Sequence, residues 1–128
     1  MTIDELPSKW IFLGIIGNLK PHQRSFLDST SYGWAGHSQV YVEGSSNRRR
    51  DKSGWTEFTE GECLYFHLDS NKLTMFSVQR NNKFVLDIDA TTAINDASYY
   101  IHFNCSYTGT KLTLEPLGSD ERPILLEN

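Results

Sequence analysis

The chain has 128 residues, 38% of them hydrophobic and 22% charged, with a formal net charge of -4. Such proportions suit one soluble globular domain that can bury roughly two thirds of the surface its unfolded chain exposes, so neither metals nor disulfides are demanded by size. The acidic balance argues against nucleic acid as a partner, which needs a whole face rich in Lys and Arg. No apolar run approaches the roughly 20 residues of a membrane-spanning helix, so no membrane partner is expected.

In chain order, "MTIDELPSKW" opens with acidic residues and carries no basic region followed by an apolar stretch, so no secretory signal is visible. A cytoplasmic or nuclear location is the expectation. "WIFLGII" at 10 to 16 reads as a buried strand. "SYGWAGHSQVYVEG" at 31 to 44 packs aromatics and glycines into a corner and ends in strand-like alternation, with "SQVYVE" at 38 to 43 as the strand. A polar, glycine-bounded loop, "GSSNRRRDKSG", follows at 44 to 54, a length that in compact β domains usually marks function or mobility.

"ECLYFHL" at 62 to 68 places Leu64, Phe66 and Leu68 on one face and Cys63, Tyr65 and His67 on the other, so partial cover on both sides is expected. Asp69, Ser70 and Asn71 supply turn chemistry before "KLTMFSVQ" at 72 to 79, and "RNN" leads into "KFVLDI" at 83 to 88, giving a three-strand meander. Two more strands, "YYIHFN" at 99 to 104 and "TKLTLE" at 110 to 115, close the pattern, the latter with Leu112 and Leu114 inward. Period-two alternation dominates and no helical stripe stands out, so the chain reads as all-β, a single domain over residues 1–128 with its core at about 3–117 and a tail at 118–128.

Chemistry is sparse. Cys63 and Cys105 lie in apolar segments and read as buried free thiols, with a disulfide between them as the alternative. His22, His37, His67 and His102 are scattered without zinc-ligand spacing, and nothing resembles a nucleophile elbow, a phosphate loop or a calcium loop. No metal, cofactor or catalytic residue is expected. The run Arg48, Arg49 and Arg50, with Trp55 close behind, combines guanidinium forks with an aromatic anchor, a pairing enriched at binding hot spots. Its bland alternative is a solvated cluster that keeps a long loop soluble.

Taken together, "KWIFLGIIGN", "SYGWAGHSQVYVEG", "WTEFTEGECLYFHLDSNKLTMF" and "GTKLTLEPL" resemble the SPRY (B30.2-like) domain family over about residues 3 to 117. The shared order is an apolar strand with a small Gly step at Leu13-Gly14-Ile15-Ile16, the corner Tyr32-Gly33-Trp34, then Tyr41 and Gly44, and finally Gly61-Glu62 before Leu68-Asp69. Glu62 stands where the family usually has Asp, and Ser70, Asn71 and Lys72 replace a customary turn glycine. A domain of this family begins several strands earlier than "TIDELPSKW", so the resemblance implies missing N-terminal strands and a sheet edge or apolar face to be covered by rearrangement, by self-association or by a partner.

The resemblance implies a bent antiparallel β-sandwich of the concanavalin-like jelly-roll type. It also implies a non-catalytic protein-protein interaction module that recognises a peptide or protein surface through its loops, as in substrate-recruiting parts of ubiquitin ligases or adaptors. Trp34 is then a core residue, and Tyr41 corresponds to a tyrosine that lines the peptide pocket in one subgroup, its other reading being a buried or edge-of-sheet tyrosine with a satisfied hydroxyl. The candidate contacts are Tyr41, Arg48, Arg49, Arg50 and Trp55, and truncating Tyr41 or the three arginines is expected to weaken a partner with little loss of stability. The alternatives are a glycan-binding lectin-like sandwich, although no galectin-type motif pair is present, and a structural self-assembly module.

Overall fold

The computed structural model describes residues 1–7, 10–17, 24–46, 54–69, 71–88, 99–105 and 109–115. Among them the strands are β1 (Thr2–Glu5), β2 (Ile11–Ile16), β3 (Tyr32–Ala35), β4 (Gln39–Val42), β5 (Ser45–Ser46), β6 (Leu64–Asp69), β7 (Lys72–Ser77), β8 (Asn82–Asp87), β9 (Tyr100–Cys105) and β10 (Lys111–Thr113). One 3-10 turn, Ser25–Leu27, lies between β2 and β3. Arg48, Arg49 and Arg50 lie outside the described residues.

All pairings are antiparallel, as alternating segments joined by short turns favour. One layer is the sheet β5-β4-β3-β2-β9; the other is the meander β6-β7-β8, beside the ribbon β1-β10. Backbone bonds join ribbon to meander. Thr2 bridges Cys63, the Ile3 N–H donates to the Glu62 carbonyl at 2.9 Å, and the Leu64 N–H donates to the Met1 carbonyl at 2.7 Å. The fold is an open all-β sandwich, in agreement with the expected class.

The main core fills the space between the layers. Ile11, Leu13 and Ile15 of β2, Trp34 of β3 and Val40 of β4 meet Leu64, Leu73, Met75, Phe84 and Leu86 of the meander. The Trp34 and Phe66 rings approach across the layers at 6.4 Å between centroids. All six residues of β2 are buried, because Phe12 joins Ala35 and Tyr41 in a second cluster on the opposite face. Cover on both sides accounts for the unbroken apolar run of "WIFLGII".

Two backbone features hold this sheet in shape. Gly14 pairs with Gly33, and a Cβ on either would lie 2.0 Å from the Tyr32 carbonyl oxygen or 2.4 Å from that of Leu13, so only glycine allows the approach. The β4–β5 hairpin has Glu43 and Gly44 at φ 53° and 77°, the two-residue geometry that matches strand twist.

Three local expectations change. β7 ends at Ser77, so Val78 belongs to the turn and is exposed. Leu112 packs on the core but Leu114 lies past the end of β10 and is exposed. Both cysteines are free, yet Cys63 is only half-buried and Cys105 is exposed, the latter because it ends a strand paired on one side by β2.

Candidate functional site

The second face of the five-stranded sheet carries the candidate site. Strand pairing sets Phe12 beside both Ala35 and Asn104, and sets Ile11 beside Cys105. The end of the sheet near the β3–β4 turn therefore gathers residues from β2, β4 and β9. The turn at Ser25–Leu27 covers this face by inserting Phe26, which packs with Trp10 against the Phe12, Ala35 and Tyr41 cluster.

An aromatic ladder results. Trp10 and Phe26 meet edge-on at 5.0 Å, Phe26 and Tyr41 at 5.4 Å, and Tyr41 and Phe12 at 5.7 Å. These are favourable offset geometries for rings, and they make one rigid wall. Gln39 Oε1 ties it together by accepting from Trp10 Nε1 at 2.8 Å and from the Tyr41 hydroxyl at 3.2 Å. Beside the ladder opens a cleft of about 490 Å³ lined by Trp10, Arg24, Phe26, Gln39, Tyr41, Asn104 and Cys105. Its chemistry is mixed: three aromatic surfaces, two side-chain amides, one guanidinium and one thiol. Partial desolvation of its sulfur against the cleft pushes the Cys105 thiol above its ordinary pKa although the residue is exposed, partly offset by a hydrogen bond with the Thr110 side chain, so at neutral pH it is a thiol rather than a thiolate.

Beneath the turn, Ser25 Oγ is in a short hydrogen bond with His102 Nε2 and accepts from Asn104 Nδ2 at 3.0 Å. A serine beside an imidazole is the arrangement of a nucleophile and its base. Here Ser25 is 1% exposed, so the hydroxyl is sealed from the cleft and meets no substrate in this conformation. Among the described residues, no group of three or more His, Cys, Asp or Glu side chains could hold a metal ion.

The sequence-derived contacts divide. Tyr41 lines the cleft, but its ring is only 5% exposed and is wedged between Phe12 and Phe26. Truncation to Ala would therefore remove packing as well as any contact, and the expectation of little stability loss is revised for that reason. Trp55 is 2% exposed and sits in the main core, on the other side of the sheet from Tyr41. Its Nε1–H donates to the Ala35 carbonyl at 2.8 Å and its ring packs on Phe58 and Phe84, so the side chain is used up as a core anchor. Ser46, two residues before Arg48, pairs with Tyr41.

A polar cluster secures the Trp55 segment. Glu62 is 1% exposed; its carboxylate accepts from the Thr59 N–H at 3.0 Å, from the Ser77 hydroxyl at 2.6 Å and from Arg80 Nε at 2.9 Å. The Arg80 guanidinium also donates to the Glu57 carbonyl and lies 5.0 Å from the Trp55 ring centre. A buried carboxylate is tolerable only when paired and hydrogen-bonded in this way. Glu62 is thus a structural strut in this chain.

Sequence reasoning did not single out Trp10, Arg24, Phe26, Gln39 or Asn104, and it took Cys105 for a buried thiol instead of a member of a site. A signal existed for some of them. Trp10 and Phe12, Gln39 and Tyr41, and His102 and Asn104 are spaced by two, so each pair shares a face of its strand. Which strands lie side by side, however, depends on the pairing of β2 with β9, which are far apart in the chain. No family model matches this chain, and neither a curated protein nor a solved structure matches it.

Proposed function

We propose that this protein is a non-catalytic interaction module whose cleft on the second face of the five-stranded sheet binds an extended peptide segment of another protein. The observation that carries the reading is the meeting of Trp10, Phe26 and Tyr41 with Arg24, Gln39 and Asn104 around one open cleft. Aromatic walls joined by convergent polar groups suit recognition, the rings supplying contact area and the polar groups fixing orientation. A ligand side chain with an apolar or aromatic body would lie against the rings, with a carboxylate or carbonyl oxygen directed to Arg24. The preformed ladder keeps the ordering cost of binding low. The resemblance to SPRY domains supports the same class of role, including a place as the substrate-recruiting part of a ubiquitin ligase or adaptor in the cytoplasm. Arg48, Arg49 and Arg50 extend the proposal, since the strand that leads to them pairs with the Tyr41 strand.

The test is selection of peptides from a displayed random library on the folded protein, followed by alkylation of Cys105 with a bulky maleimide. Specific peptides whose binding is abolished by the modification are expected, because Cys105 lines the cleft. Peptides that bind equally well to the alkylated protein would place recognition elsewhere, and hits on a glycan array with no peptide selected would favour a lectin.

A further inference from the structure

We infer that Ser25, His102 and Asn104 form a pH-responsive latch that fixes one wall of the cleft. The turn at Ser25–Leu27 carries Arg24 and Phe26, both of which line the cleft. Ser25 lies between them and reaches the opposite way, to β9, where its hydroxyl contacts His102 and Asn104. These two side chains are the partners of the Ser25 hydroxyl, and they tie the turn to the sheet.

The direction of the bonds makes the latch sensitive to protonation. Asn104 Nδ2 donates to Ser25 Oγ, and the latch assigns the neutral imidazole the tautomer with its proton on Nδ1, so that Ser25 gives its hydroxyl proton to His102 Nε2, which accepts only in that neutral form. A protonated imidazole turns Nε2 into a donor. Ser25 Oγ would then face two donors, and its own proton, at a residue 1% exposed, would lose its acceptor among the described residues. Leaving a buried donor unsatisfied is the costly outcome.

The groups that face the imidazole agree with a neutral resting state. From β2 come the Phe12 ring, 6.1 Å away, and the backbone of Gly14, neither ionisable. The turn is flanked by Arg24 and by Asp28, and the Asp28 charge acts on His102 in favour of protonation. Burial outweighs it and holds the His102 pKa below the ordinary imidazole value. The stabilisation is therefore complete above the ordinary value of about 6.5 and is lost as pH falls below it toward the folded-state value.

Consequences for binding rest on the role proposed for the cleft, but the latch is read on the free protein, so the two ideas fail separately. The experiment follows hydrogen-exchange protection, normalised for intrinsic rates, of the Leu27 and Asp28 amides, which donate to the Arg24 and Ser25 carbonyls. Between about pH 7.5 and about pH 5 their protection should fall about tenfold, while amides of β7 keep theirs. His102→Gln and Ser25→Ala should both lose this pH response, the second while the imidazole still titrates by NMR. An unchanged wild-type protection while His102 titrates, or an equal fall in both variants, would overturn the latch.

Discussion

The two faces of the five-stranded sheet are made by the same strands, yet they are built to different rules. The inner face contributes Ile11, Leu13, Ile15, Trp34 and Val40, all apolar or aromatic and all closed off by the second layer. The outer face interleaves Phe12 and Tyr41 with Gln39, His102 and Asn104, and among the described residues its cover is the short turn at Ser25–Leu27. An interior needs only shape and apolarity. A face that mixes rings with satisfied amides spends hydrogen bonds on orientation, and this is what separates the scaffold from the candidate site.

The sharpest way to break the comparison is from the inside. Trp34→Ala should cost about 3–5 kcal/mol by chemical denaturation, and Glu62→Ala a similar about 3–5 kcal/mol, because Arg80 would lose its buried counter-charge. Near-native stability of Glu62→Ala would mean that the polar cluster is dispensable. On the outer face, Tyr41→Phe keeps the ring between Phe12 and Phe26 and loses the hydroxyl bond to Gln39. About 1 kcal/mol is expected, and a loss as large as that of Trp34→Ala would erase the distinction between the faces.

Smaller still is the β3–β4 turn, where His37 and Ser38 hold φ 61° and 59° without being glycine. Replacing them with Asn-Gly, which adopt that geometry readily, should stabilise by about 0.5–1 kcal/mol, seen as a raised denaturation midpoint. Least costly of all is Arg24→Ala. The residue is exposed, so stability should stay within about 0.5 kcal/mol, whereas affinity for a cleft-selected peptide should drop about tenfold or more, as loss of a charged contact predicts. Titration calorimetry on the folded variant separates these two quantities.

Legibility in the sequence follows the same division. The alternation of "KLTMFSVQ" and "KFVLDI" and the turn residues between them gave the meander, because neighbouring strands in the chain are neighbours in space. The burial of Trp34 is what the family resemblance implies, and the side chain is buried. Trp55 was not, since closeness to an arginine run says nothing about a carbonyl of Ala35 waiting for its indole N–H. The cleft was legible in one member, Tyr41; the rest required knowing that β9 lies against β2 and that the turn at Ser25–Leu27 folds back over the sheet, which are long-range events that local pattern does not encode.

Chemical-shift mapping of the free protein against a selected peptide tests the central claim most directly. The account predicts that the perturbed amides cluster at Arg24 to Phe26, Gln39 to Tyr41 and Asn104 to Cys105. Perturbations confined to the outer face of β6, β7 and β8, with those residues unmoved, would contradict it.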